Sequence, residues 1–165
     1  MRYIGQIAEL SELLENTDHI DVKVVEGEVS LREFVASMLS YNPKWLELLF
    51  RIRNIFSRLV GMAQEDSSRP NLTPEDVPMT LGATILFFTL SMVKEEQYWI
   101  AQLSDDKYMH AHLGVVVEPL SSNLKRFHVM SVIRYKHWIG RFYFNISRPF
   151  HHLVVKKTAQ AGVRH

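Results

Sequence analysis

The sequence predicts an α+β fold in which an antiparallel β-sheet grips a long C-terminal helix, with two helices inserted after the first strand. Two observations carry this. Past Leu81 lie four runs rich in β-branched and aromatic residues, ATILFFTLSMV, EQYWIAQLS, KYMHAHLGVVVEP and LKRFHVMSVIRYK, separated only by KE, DD and LSSN. Connections that short force neighbouring strands antiparallel. Beyond them a helical pattern runs from about His137 to Gln160 and supplies the cover that such a sheet needs.

At 165 residues, 47% apolar and 22% charged, the chain suits one domain over 1–165. It can bury roughly two thirds of its unfolded surface, enough for a core without cross-links. There is no cysteine, which excludes disulfides, thiolate metal sites, iron–sulfur clusters and cysteine nucleophiles, and makes a reduced, cytoplasmic setting the default. No apolar run reaches the roughly eighteen residues of a membrane-spanning helix, and the opening MRYIGQIAELSELLENTDHI is too acidic for a signal peptide. The net charge of +1 is unevenly placed: residues 1–30 hold seven acids against Arg2 and Lys23, whereas residues 119–165 hold nine Lys or Arg, five histidines and no acid. Either the two ends neutralise one another in the fold, or the basic end marks a surface for an anionic partner or membrane.

In chain order, Leu10, Leu13 and Leu14 share one face of a short helix. HIDVKVVE then alternates, Ile20, Val22 and Val24 against Asp21 and Lys23, which is the period of a half-buried strand. Ser30 and Glu33 have the spacing of a capping box, and Leu31, Phe34, Val35, Met38 and Leu39 step by three and four along the helix that follows. Asn42 and Pro43 end it and open a second helix, with Trp45, Leu48, Leu49, Ile52, Ile55, Phe56, Leu59 and Val60 expected inward and Gly61 at its end. Residues 64–80, with three prolines, read as a long surface loop, either disordered or a passive connector, or else a functional loop such as a lid.

In the sheet, Trp99, Ala101 and Leu103, then Met109, Ala111, Leu113, Val115 and Val117, form one apolar parity. In the last strand Phe127, Val129, Ile133 and Tyr135 do the same, opposed by Arg126, His128 and Arg134. One face of the sheet is therefore covered. The last helix is expected to cover it with Ile139, Phe142, Tyr143, Ile146, Phe150, Leu153 and Val154, leaving Arg141, Asn145, Arg148 and His152 on another side. Pro149 removes an amide donor, so a kink is expected near Asn145. A kinked, aromatic-rich helix over a curved sheet is a route to a cavity.

The candidate chemistry is sparse. His110 and His112 place two imidazoles on one strand face about 7 Å apart, a spacing for two metal ligands with His128 as a third; lying opposite the apolar parity, they are expected to face solvent, and no metal is assigned. His151 and His152 point about 100° apart on a helix and do not easily share a metal. Asp105 and Asp106 read as turn formers ahead of paired acid–base carboxylates. Nucleophile motifs, phosphate-binding glycine loops and dinucleotide fingerprints are absent from the sequence, as are nucleic-acid-binding signatures, so no cofactor and no nucleic acid are expected.

The order strand, helix, helix, antiparallel strands, long helix resembles the helix-grip fold of START-like (SRPBCC) lipid-transfer and polyketide-cyclase proteins. DDKYMHAHLGVVVEP followed by IGRFYFNISRPFHHLVV resembles more narrowly an uncharacterised family of bacterial domains of unknown function. The carrying residues are Gly140, Arg141 and Tyr143, then Pro149, Phe150 and His151, with Asp105, Asp106 and Lys107 at the preceding turn. The resemblance implies the fold, assigns no reaction, and leaves open association with a nucleotide-binding dehydrogenase-like protein. Three functional expectations follow. The first is a small hydrophobic ligand, lipid-like or aromatic, held between sheet and last helix by Phe87, Trp99, Leu113, Phe127, Tyr143, Ile146, Phe150 and His151. The second is a cyclase, dehydratase or hydrolase using Tyr143, His151 or His128 as acid or base in that pocket. The third is an interaction module that docks an anionic partner through the basic C-terminal third.

Overall fold

A computed structural model describes residues 3–15, 17–48, 51, 71–103 and 109–163, with the backbone alone at 139, 140, 143, 146 and 147. Among the described residues six strands, β1 (His19–Gly27), β2 (Thr84–Ile85), β3 (Phe88–Lys94), β4 (Tyr98–Leu103), β5 (Met109–Pro119) and β6 (Lys125–Tyr135), form one antiparallel sheet in the order β1-β6-β5-β4-β3-β2. The chain's first strand thus lies against its last, from His19 opposite Ile133 to Gly27 opposite Lys125. That pairing sets acidic β1 beside basic β6, and Arg126 bonds both Glu26 and Glu118. The run predicted as one strand over 83–93 is instead a hairpin, β2 and β3, with Leu86 at φ 54 in its turn; strand propensity marks both arms and is silent about the corner.

Both faces of the sheet are covered, where the sequence pattern indicated one. Ile4 and Leu10 of the N-terminal segment, the latter on helix α1 (Ala8–Glu15), pack with Tyr98, Ile100, Val116, Met130 and Val132 on one face. The opposite face carries Trp99, Ala101, Val115, Val117, Phe127 and Val129 and receives helix α2 (Leu31–Ser40) and the last helix, α3 (Trp138–Gly162). Helix α2 starts where its capping box requires. The Ser30 hydroxyl accepts from Glu33 N, and the Glu33 carboxylate accepts from Ser30 N. All five residues of its predicted stripe are buried. Phe34 stacks on Phe127 at 4.2 Å between ring centres, and α3 crosses so closely that a Cβ on Gly162 would lie 2.7 Å from the Phe34 ring.

Two further expectations change. Residues 71–80 are not a passive loop: Val77 is buried in the core, Pro78 O accepts from Trp99 Nε1 at 3.2 Å, and Ser40 Oγ accepts from Leu72 N at 2.8 Å. Pro74 opens a 3-10 turn, Pro74–Asp76, in which Asp76 Oδ2 accepts from both Thr73 N and Thr73 Oγ1. Of the second predicted helix, residues 44–48 are helical with Leu46 inward and Leu48 exposed; Leu49, most of its remaining stripe, and residues 64–70 lie outside the described residues.

Helix α3 departs most from its sequence pattern. Phe144, Val155 and Ala159 are buried, whereas Phe142, Phe150 and Leu153, expected inward, are exposed at 57%, 52% and 43%. Val154 is half-buried, and the side chains of Ile139, Tyr143 and Ile146 lie outside the described residues. Apolar residues occur around most of this helix, so periodicity alone did not single out the face that meets the sheet. The contact with Phe34 gives a direct check. Gly162→Val should destabilise the fold by roughly 1–3 kcal/mol through overpacking, read from the denaturation midpoint, whereas Gly5→Ala, with open space at its Cβ, should stay within about 0.5 kcal/mol.

Candidate functional site

The alternation of β1 runs opposite to its simplest reading. Val22 packs under α1, Val24 is exposed, and the polar parity, His19, Asp21 and Lys23, faces helix α3. Register aligns Asp21 with Ser131 of β6, and Ser131 is the one polar interruption in that strand's apolar parity. From above, α3 lowers His151 and His152. The result is a cluster of six polar side chains on a sheet face that is otherwise apolar.

Asp21 is its centre and is only 7% exposed. Lys23 Nζ donates to Oδ1 at 2.6 Å and His152 Nδ1 donates to Oδ2 at 2.7 Å. Burial on its own would raise the carboxyl pKa, but the hydrogen bonds from Lys23 and then His152 outweigh it and hold the group below its ordinary value. An ionised carboxylate only accepts, so the bonded His152 Nδ1 carries its proton and Nε2 is the atom left to meet a ligand. Next to this dyad, His151 Nε2 lies 2.9 Å from Ser131 Oγ. Burial pushes the His151 pKa down to about 4, so its ring is neutral at pH 7. His19 closes the group, its ring 5.9 Å from that of His152 and 4.9 Å from that of Phe144. Burial, then Arg148, lowers its pKa, and its Nε2 is buried with no protein partner among the described residues. Phe144 with Met109, Ile133, Ala111 and Tyr135 forms a small apolar cluster beside these polar groups.

Of the residues expected to line a ligand pocket, His151 stands in this cluster. Trp99 and Phe127 are fully enclosed in the core under α2, Phe127 against Phe34 and Trp99 anchored to Pro78. Leu113 is half-buried at the edge of that core. Phe87 is half-buried at the β2–β3 corner with its ring 4.6 Å from that of Phe88. Phe150 points away from the sheet, since it lies about 100° round the helix from His151. Tyr143 and Ile146 fall outside the described side chains.

His128, expected as an acid–base or third metal ligand, is on the other sheet face, buried, with Nε2 2.8 Å from Glu118 Oε2. Its strand partner is Val116, four residues along β5 from His112, a separation of about 13 Å, so the H-x-H pair and His128 do not converge. His110 and His112 are half-buried instead of solvent-facing, and burial lowers the His112 pKa. Among the described residues no three His, Asp or Glu side chains stand where they could hold a metal. Asp105, Asp106 and Lys107 lie outside the described residues.

A family model described as a protein of unknown function, DUF2867, matches residues 13–158. The chain belongs to the DUF2867 family. No curated protein matches it. Among solved structures it is similar to a START superfamily protein from Mycobacterium smegmatis, at 11% identity over 86% of this chain and 97% of that one, with a TM-score of 0.36. The DUF2867 match spans β1, β6 and most of α3, the elements that build the cluster.

Sequence reasoning passed over Asp21, Lys23, His19 and Ser131 as site residues. The available signals were Ser131 breaking an apolar parity and His152 set with the solvent-facing residues of a helix that has another face to spend. Acid titration tests the arrangement. His151 has a folded pKa near 4 against an ordinary 6.5, so the unfolded chain binds the extra proton first and stability falls as pH drops from about 6.5 to 4, by up to about 3 kcal/mol. Depressed His19 acts with the same sign, and Asp21 extends the loss to lower pH. His151→Asn should flatten most of the decline in melting temperature between pH 7 and 4.5; an unchanged slope would place His151 elsewhere.

Proposed function

We propose that this protein binds a small ligand with a largely apolar body and a hydrogen-bonding head group, seated under the middle of α3. The head group meets His152 Nε2, His19 Nε2 and the Ser131–His151 pair, and the body lies along Phe144 and its neighbours Met109 and Tyr135. The observation that carries this reading is the gathering of six polar side chains between α3 and a sheet face that is otherwise apolar, around a buried aspartate. Folding alone would be served as well or better by apolar residues there, because buried ion pairs seldom add net stability. Lys23 and His152 are 27% and 36% exposed, so the cluster is open to solvent at one side. The aromatic core under α2 is filled by its own side chains, and the ligand is placed beside it.

A second reading, an acid–base enzyme, is favoured by one feature: the Asp21–His152 contact fixes a tautomer whose free Nε2 can take or give a proton. Dodecanoate, cholesterol and a hydroxyanthraquinone represent the fatty, sterol and polyketide-like ligand classes. At a hundredfold excess over its Kd, a bound probe contributes about 2.7 kcal/mol and should raise the melting temperature by roughly 5–10 °C. The shift should be lost in Asp21→Asn and retained in Phe87→Ala. If no class shifts the wild-type chain and native mass spectrometry shows it ligand-free as purified, the binding reading fails.

A further inference from the structure

The outward side of α3 carries a feature that neither folding nor the polar cluster uses. Trp138, Phe142, Phe150 and Leu153 are exposed at 71%, 57%, 52% and 43%. At 100° per residue all four, with exposed Pro149 among them, fall within about 120° of the helix circumference, centred opposite Phe144 and Val155. They account for half of the large apolar side chains exposed among the described residues. Lys156 and Lys157, both exposed, continue the same side one turn further. No acid occurs anywhere from residue 119 to the end. The acids of β1 compensate Arg126 and Lys23 at the sheet and make no ion pair with Arg141, Arg148, Lys156 or Lys157 among the described residues.

We propose that this face of α3 docks the protein on an anionic lipid surface, with the Trp138–Leu153 stripe entering the headgroup–acyl boundary and Lys156 and Lys157 meeting lipid phosphates and carboxylates. Aromatic residues continued by lysines on one side of a helix suit an interfacial segment, since rings favour the boundary and cations the anionic headgroups. A second copy of the chain is the poorer occupant. Stripe against stripe about a two-fold axis would bring the uncompensated basic residues of both copies together. An acidic protein would satisfy the charges and leave four large apolar side chains without a stated complement. No helix among the described residues is long and apolar enough to cross a membrane, so the contact is with the surface only.

The test is sedimentation of the full chain with phosphatidylcholine vesicles and with vesicles that also contain phosphatidylserine, alongside Trp fluorescence and sedimentation velocity. Binding should need phosphatidylserine, fall with added salt, and blue-shift the emission in a manner lost in Trp138→Phe. Phe142→Ala together with Phe150→Ala should weaken it by more than about tenfold, as should Lys156→Ala together with Lys157→Ala. These side chains are exposed, and an unchanged melting temperature confirms that the variants fold. Failure to bind phosphatidylserine vesicles overturns the proposal. So does binding indifferent to the aromatic substitutions, equal retention by a polyglutamate resin with no vesicle preference, or a dimer that those same substitutions dissociate.

Discussion

The buried Asp21 carboxylate sets the terms for the rest of the structure. Taking such a group out of water costs several kcal/mol unless each oxygen is paired, and both are, one by Lys23 from the same strand and one by His152 from α3. The second bond ties the first strand of the sheet to the last helix across more than a hundred residues of chain. It also fixes how α3 is rolled. With His152 drawn to Asp21, His151 arrives over Ser131, Phe144 over His19, and the Trp138–Leu153 stripe is turned outward. Near its end, the roll is held by Gly162 against Phe34, where no larger residue fits without displacement. Two contacts of different chemistry therefore determine the same rotation.

The same roll explains what was legible in the sequence. The antiparallel order, the capping box at Ser30 and the stripe of α2 followed from local rules: short connections, an oxygen at the right spacing, a one-sided period. Those signals are complete within a few residues. The orientation of β1 and of α3 was not local. Ile20, Val22 and Val24 form an apolar parity, and nothing in HIDVKVVE says whether the cover over that parity is α1 or α3. Helix α3 offers apolar residues on nearly every side, so its choice of inner face rests on what lies beneath, which is a set of polar groups from two distant strands. Hydrophobic periodicity looks for apolar against apolar. A helix that meets its sheet through histidines is outside its grammar, and for that reason the candidate site was the part least visible.

Helix α3 accordingly has two unusual sides. The inner one spends stability on a polar group of six, and the outer one leaves large rings in water at a cost that packing would normally remove. Each departs from the pattern that folding favours, and they lie on opposite sides of one element. A ligand seated at the inner side would contact the very helix whose outer side carries the aromatic stripe.

The chemistry open to the cluster is bounded by which histidine touches what. A serine nucleophile needs a base at its hydroxyl and an orienting carboxylate at that base's second nitrogen. Here the histidine beside Ser131 is His151, and the histidine bonded to Asp21 is His152. The roles are divided between neighbours about 100° apart on a helix. His151, with its pKa near 4, is also a weak base for deprotonating a hydroxyl. Ser131 and His151 are therefore suited to recognise a polar group by hydrogen bonds. Within the cluster, His152 is the imidazole that a carboxylate orients and solvent reaches. Such an arrangement fits a ligand whose carbonyl or hydroxyl is held and polarised, and does not fit acyl transfer through the serine.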